Sequence, residues 1–471
     1  MPSTIALSSK IIKKTIAEVF SLKKTFIGLT ITILSCLLLF SLCQAEEMTV
    51  TVGLLYGSEA PSSVTLSSSS TITVIAPNYM SEEPLPSPIT VQVLKEADSF
   101  AEDYIGFYLT ESEMTLNDQV ISFCSSDGSP IGVNGVYYRG IISLARIPGS
   151  DMTVRNTVGI ESYLYSVIGS EMYPSWHVEA LKAQAVAARS YAYLNLGKNL
   201  AKYGFDITDT TLDQAYKGIS QETENVRAAV DGTRGLVAFS EGEPVSLYYY
   251  ASNNGHTESN ESLWGSVPVA YLRGKPDPYD TYSDPWSVSL TSKEIASILK
   301  ERGADIGELT NITIDKVTDA GSVVAITYHG TKDSFTYTKS SVRSMLGKSW
   351  KSHWFTLSKK GGNPLIEEGV YTQKGFTNEK TLTIMTASGL SESSAKNAYV
   401  CTADGTSKIS LSQRETGETD NTEATWTFSG DGSGHGIGMS QWGAKAMADE
   451  GFTFDEILKF YYDGLALESI Y

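Results

Sequence analysis

Cysteine and histidine are scarce in this 471-residue sequence, with four of the first and five of the second. Two cysteines, Cys36 and Cys43, fall in or beside an N-terminal apolar run, and only Cys124 and Cys401 lie beyond it. That excludes a disulfide-stapled scaffold and leaves either one long-loop disulfide or two free thiols. His177, His256, His329, His353 and His435 are scattered, without close pairing and with no cysteine beside His256, so no metal site is expected. No cofactor is implied: where a phosphate-cradling G-x-G-x-x-G would place its last glycine, the glycine-rich stretch has His435, Ile437 or Met439. The nucleophile elbow G-x-S-x-G is missing too, because Gly438-Met-Ser440-Gln441 runs into Trp442, which argues against a serine hydrolase built on Ser440 and His435. Basic charge is also short, 36 Lys and Arg against 54 Asp and Glu. An acidic chain repels polyanions, so nucleic acid and anionic lipid are poor partners, while a neutral or zwitterionic polymer is allowed.

The composition that remains, 41% hydrophobic and 10% aromatic, suits two or three packed domains. Lys10, Lys13, Lys14, Lys23 and Lys24 precede an apolar run over 26–42 and then Cys43-Gln-Ala45. This reads either as a signal peptide cleaved after Ala45 or as an uncleaved membrane anchor, the run being at the short edge for a span. Both place the rest of the chain outside the cytoplasm. Leu42 stands where a lipoprotein site needs a small residue, which disfavours lipidation of Cys43. Residues 1–45 hold five lysines and one glutamate, so without them the net charge of −18 deepens by four to −22.

Periodicity and punctuation predict an α+β fold, with a β-rich N-terminal region and a mixed α/β core around a central alanine-rich helix. Residues 46–145 alternate in short segments such as Thr49-Val-Thr-Val, broken by Ser, Pro and Gly. The core is assigned to 146–357. Within it a helix is expected near 221–231 ahead of Gly232, then two strands, 236–239 and 245–250, joined at Glu241-Gly-Glu243. Thr291 with Glu294 forms a capping box that starts a helix ending at Gly303, and Thr453 with Glu456 forms a second whose helix ends before Gly464. Residues 358–427 turn to Gly, Thr, Ser and Glu, read as an insertion with a hairpin around 381–385 and 399–401; residues 428–471 complete the core.

The central helix carries Ala180, Ala183, Ala185, Ala187, Ala188 and Ala192, and alanine both favours helix and lets neighbouring backbone approach closely. Gln184 shares a stripe with Leu181, Ala188 and Tyr191, so a polar group on an apolar face needs a partner there. Pro174 and Ser175 suit the first turn, with Ser175 as N-cap, which puts Glu171 on the loop leading in, near the helix N-terminus. From spacing alone a loop carboxylate satisfied by backbone donors outweighs a catalytic one by roughly two to one. Near the C-terminus Gly430, Gly432, Gly434, Gly436 and Gly438 alternate with other residues, which is either a strip open to a polymer or a turn before a helix over 444–449.

These two blocks, Glu171 to Arg189 and Gly434-His-Gly-Ile-Gly-Met-Ser-Gln-Trp-Gly443, resemble the stage II sporulation protein D (SpoIID/LytB) family. Further matches follow in order: Val52-Gly-Leu-Leu-Tyr56, Tyr138-Arg-Gly140, Glu161-Ser-Tyr-Leu164, Asp213-Gln-Ala-Tyr216, Thr257-Glu258 with Trp264, Tyr271-Leu-Arg273 and Tyr461-Tyr462. The resemblance covers roughly 48–357 and 428–464. It implies a lytic transglycosylase that cuts peptidoglycan glycan strands between N-acetylmuramic acid and N-acetylglucosamine, leaving 1,6-anhydro ends. The acid/base is the glutamate of a Glu-Met-Pro block, here Glu171, with Tyr173 inserted. The role calls for partial burial that keeps this carboxyl protonated. Gln184, Arg189, Ser252, His256, Thr257, Glu258, His435, Ser440 and Gln441 are the substrate-binding candidates. Each has a structural alternative, such as Arg189 paired with Glu179 or Glu161, or Gln441 capping its helix. Trp264 and Trp442 are either sugar-stacking or core residues. Some family members hold zinc by Cys and His near the His256 loop, which here lacks cysteine. The resemblance also implies two non-enzymatic alternatives: an enhancer of a cell-wall amidase, or a scaffold among engulfment proteins.

Overall fold

The computed structural model describes residues 48–77, 79–81, 84–94, 106–147, 150–347, 350–362, strand segments within 365–416, and 420–471, with backbone alone between 362 and 422. The N-terminal reading of residues 1–45 and the side chain of Cys401 lie outside this set. Among the described residues no helix is long and apolar enough to cross a membrane. The fold is α+β, as expected. It divides into two units, Met1–Leu247 with Ala466–Tyr471, and Tyr248–Leu465. The boundary falls within residues 146–357.

The first unit opens with the β-rich region. Thr49–Leu55 lies between Ile207–Thr208 and Ser150–Gly159 in a seven-stranded sheet that continues through Ile141–Ile147, Val120–Ser125, Ile72–Ala76 and Tyr79–Met80. Ser63–Ser68 and Ile89–Leu94 are the centre of a six-stranded sheet. Alternation drives both: Val50, Val52, Val64, Leu66, Ile72 and Val74 are buried while most of their chain neighbours are not. Cys124, half-buried on Val120–Ser125, is a free thiol whose pKa burial pushes up.

Helix α1 (Ile160–Glu171) follows directly from the strand Ser150–Gly159, and α2 (Val178–Leu194) packs against it. The alanines of α2 are fully buried, so it is the central helix the composition predicts. Helix α1 has weaker local credentials, with Gly169 in its interior, yet Ile160, Tyr163, Leu164, Val167 and Ile168 are sealed. A Cβ at position 169 would stand 2.3 Å from the Gln221 carbonyl oxygen, so the glycine allows a backbone crossing there. Helix α3 (Glu224–Asp231) is capped by Thr223, whose hydroxyl accepts from Val226 N at 3.3 Å. The hairpin at 241–242 forms with positive φ at both Glu241 and Gly242. The single strand expected over 245–250 does not. Glu243–Pro244 pairs back with Leu236–Ser240, whereas Tyr249–Tyr250 pairs in parallel with Met439–Ser440, a long-range partner in the second unit's own core that local pattern cannot announce.

In the second unit Trp286, Ile295, Leu299, Tyr328, Trp350, Phe355, Trp426 and Phe428 form one core. Both capping boxes are present: Thr291 with Glu294 starts α4 (Ser292–Glu301), and Thr453 with Glu456 starts α6 (Phe454–Tyr461), which follows α5 (Gln441–Asp449). Phe355–Gly362 pairs antiparallel with Asp420–Gly430, from Phe355 opposite Gly430 to Gly362 opposite Asp420. Residues 363–419 therefore leave and rejoin the sheet at adjacent points, the geometry that makes a long insertion tolerable. Within it the described backbone forms separate hairpins rather than one around 381–385 and 399–401: Leu365–Thr372 with Gly375–Thr377, Thr381–Thr386 with Gly389–Ser394, and Tyr399–Thr402 with Gly405–Lys408.

Candidate functional site

Glu171 is the last residue of α1 and is half-buried. The loop follows it, over 172–177, rather than holding it. Asn225 explains the difference: its amide nitrogen donates to the carbonyls of Pro174 (2.8 Å) and Trp176 (2.9 Å), which keeps those residues out of the helix. Helix α2 then starts at Val178 with His177, not Ser175, as N-cap; its Nδ1 accepts from Glu179 N at 3.3 Å. A carboxylate at the end of α1 faces the negative pole of the helix dipole, the reverse of the N-terminal setting the sequence suggests. The backbone N–H of Ala215 offsets this, donating to Oε1 at 2.8 Å. Next to it, Gln214 accepts from the Tyr163 hydroxyl (3.0 Å) and donates to the Ala188 carbonyl (3.2 Å), clamping the segment between α1 and α2.

Gln184 lies one turn before Ala188, fully buried, and neither amide atom has a hydrogen-bond partner among the described residues. Such an amide costs about 1–3 kcal/mol until something bonds it. Arg189 takes the structural alternative. It is fully buried, with Nε and Nη2 on Glu161 (3.0 and 2.6 Å), Nη1 on the Leu236 carbonyl (3.1 Å) and Nη2 also on that of Val230 (3.3 Å). With its donors committed to protein oxygens, it presents no free face to a groove. Glu179 pairs with Lys182 instead, at 2.7 Å. A surface groove of about 740 Å³ is lined by residues 173–175 and by 223–225 with Ala228.

The other candidates belong to the second unit, where they do converge. Ser252 pairs backbone to backbone with Ser433, and Glu258 N donates to the Gly436 carbonyl at 2.7 Å, so the 251–258 loop runs beside the glycine-rich 430–438 segment. The glycines face their own chain rather than a ligand. A Cβ on Gly434 would meet Tyr250 at 2.4 Å, and one on Gly438 the Tyr248 carbonyl at 2.1 Å, both at positive φ. The segment is the turn before α5, whose N-cap is Ser440 and not Gln441: its hydroxyl accepts from Gly443 N at 3.2 Å.

Ser440 also donates to Asp280 Oδ2 at 2.6 Å, where Asn253 N donates at the same length. Asp277 receives Asn253 Nδ2 (2.8 Å) and the Tyr461 hydroxyl (2.9 Å). Sequence reasoning missed Asp277 and Asp280, because lone acids among prolines read as solvated loop. Burial pushes the Asp280 carboxyl up to about 6, against the pull of its donors.

Glu258 is buried and its Oε1 accepts the Thr318 hydroxyl at 2.5 Å; burial raises its pKa. Thr257 bonds Lys275 through backbone and hydroxyl. His256, half-buried, sets Nδ1 2.6 Å from the Thr257 carbonyl oxygen. His435 is held down to about 3 by burial, with Arg343 contributing, and its Nδ1 accepts from Ile437 N at 3.1 Å, so the ring is neutral. Tyr250 and Trp264 each pack on it at 5.5 Å, which assigns Trp264 to this ring cluster. Trp442 stacks on Tyr282 at 3.8 Å. Ser252 Oγ and Gln441 Nε2 are buried without a partner among the described residues, and no cluster there could hold a metal ion.

Residues 149–239, which include Glu171, Gln184 and Arg189, match the family model described as Stage II sporulation protein. The Stage II sporulation protein D of Bacillus subtilis is 26% identical over 329 residues, 67% of this chain and 76% of that protein. The chain belongs to the stage II sporulation protein D family. An amidase enhancer of B. subtilis is 32% identical over 321 residues, 65% of this chain, which spans 40% of that longer protein. An uncharacterized protein of Brachyspira hyodysenteriae is 31% identical over 82% of this chain and 85% of its own length.

Proposed function

We propose that this chain is a peptidoglycan lytic transglycosylase, with Glu171 as its single acid/base. The setting of Glu171 carries the reading: a half-buried carboxyl at the end of α1 with one oxygen fixed by Ala215 N, in the stretch that matches the family. One carboxyl suffices for the chemistry. Protonated Glu171 gives its proton to the glycosidic oxygen as the bond from C1 of muramic acid breaks. The resulting carboxylate takes the proton of the same sugar's 6-hydroxyl as O6 bonds to C1, which closes the 1,6-anhydro ring and restores the acid. No water is consumed, so the second carboxylate of a hydrolase is not required. The sugar's N-acetyl group stabilises the oxocarbenium-like state.

In this proposal Gln184, fully buried, acts through Glu171 as a positioning residue rather than on the sugar itself. His256 and His435, half-buried, keep substrate contact, while Ser252, Thr257, Glu258, Ser440 and Gln441 support their loops. The protein acts outside the cytoplasm, secreted or held by its N-terminal run, on glycan strands in sporulation or wall remodelling.

A second reading, an amidase partner that does no chemistry, is favoured by the resemblance to the amidase enhancer. Mass spectrometry of products released from intact and amidase-treated peptidoglycan separates the two. Anhydro-ended products that fall by about 10²- to 10⁴-fold in Glu171→Gln support the enzyme. No product from the folded wild type, with amidase stimulation that survives Glu171→Gln, supports the partner.

A further inference from the structure

Tyr173 is 63% exposed, yet it does not stand alone. Its ring lies 5.4 Å from that of Trp176, tilted by 45°, and the loop bearing both is tied to α3 by the two Asn225 hydrogen bonds. Scattered exposed aromatics are ordinary. Here the residue lines the open groove of about 740 Å³. The lining from α3 and its cap is polar: the Thr223 hydroxyl accepts from Val226 N and keeps its own proton to donate, Asn225 Oδ1 is an acceptor, and Glu224 is exposed. A flat ring in the same groove as a row of hydrogen-bonding groups matches a pyranose, which has an apolar C–H face and hydroxyls around its rim.

Charge narrows the choice. Glu224 is the only charged side chain lining the groove, in a chain of net charge −18. A carboxylate-bearing sugar would meet like charge there, whereas an uncharged one would not. We propose that this groove is a glycan subsite for an uncharged N-acetylhexosamine, with Tyr173 as the stacking residue and Glu224 as the group that disfavours the carboxylated sugar. The proposal rests on the glycan-strand reading and gives that reading a polarity, since in a strand stripped of its stem peptides the two sugars differ in this charge.

The test uses the full chain carrying Glu171→Gln, so that binding is read without turnover. A β-1,4-linked tetramer of N-acetylglucosamine is titrated by calorimetry. Tyr173→Ala should weaken binding about tenfold and Tyr173→Phe should restore it. Glu224→Gln should leave tetramer affinity within about threefold while tightening binding of a stripped, muramic-acid-containing strand several-fold. Tetramer binding that Tyr173→Ala leaves unchanged, with the variant folded by circular dichroism, would overturn the subsite and leave the transglycosylase reading standing. Absence of tetramer binding overturns the subsite as well. Conversely, a tenfold loss in Tyr173→Ala with no anhydro product from wild type keeps the subsite and removes the catalytic reading.

Discussion

Glu171 and Glu258 are both glutamates in blocks that resemble the family, and the structure treats them in opposite ways. Glu258 is closed in, with Thr318 on its carboxyl and Gly436 on its backbone, and burial raises its pKa. Glu171 is half-buried at a helix end, with a loop after it rather than a covering element. The contrast extends to their surroundings. The α1–α2 pair is an apolar core crossed by one buried ion pair, whereas the glycine-rich turn closes over a network of Asn253, Asp277, Asp280, Ser440 and Tyr461. Small residues allow close approach in both, alanine to seal apolar surface and glycine to let backbone cross backbone. A motif match therefore identifies residues that a fold needs, and accessibility separates those that can meet a substrate.

The strongest way to test this contrast is Arg189→Ala. It leaves Glu161 buried without its cation and should cost about 3–5 kcal/mol in denaturant unfolding. A change under about 1 kcal/mol would return Arg189 to the binding candidates.

Acid should separate the units. Burial lowers His353, 3% exposed, from 6.5 to about 4, and lowers His435 further. For a base with a depressed folded pKa, stability is complete above the unfolded value and is lost as pH falls toward the folded one. His353 alone then removes about 3 kcal/mol between pH 6.5 and 4. Asp280 opposes this in the same unit, because a carboxyl raised to about 6 gains stability as pH falls from 6 toward 4. Asp209 in the first unit, also raised to about 6 by burial, gains in the same sense. Hydrogen exchange at pH 7 and pH 4 should show residues 248–465 opening before 48–247, and the opposite order would contradict this account.

Ser440→Ala tests the polar network, losing both the cap of α5 and a donor to Asp280, for about 1–2 kcal/mol. The mildest change is Thr453→Ala, about 1 kcal/mol from the capping box of α6. Equal costs for these two would show that the Ser440–Asp280 bond adds nothing beyond an ordinary cap.

What the sequence determined by itself is local. Alanine propensity specified α2, the pairs Thr291/Glu294 and Thr453/Glu456 specified two helix starts, and Glu241-Gly242 specified a hairpin turn, because each signal lies within four residues of its effect. Tertiary structure decided the rest. Helix α1, with its interior glycine, is held by packing on α2, so the position of Glu171 at its end could not be read from residues 160–171 alone. Asn225 moved the start of α2, Met439 and Ser440 drew Tyr249 and Tyr250 away from the strand they seemed to continue, and Arg189 chose Glu161 over the nearer Glu179. In each case the deciding partner lies 28 to 190 positions away, and only burial of both groups in one place makes the choice.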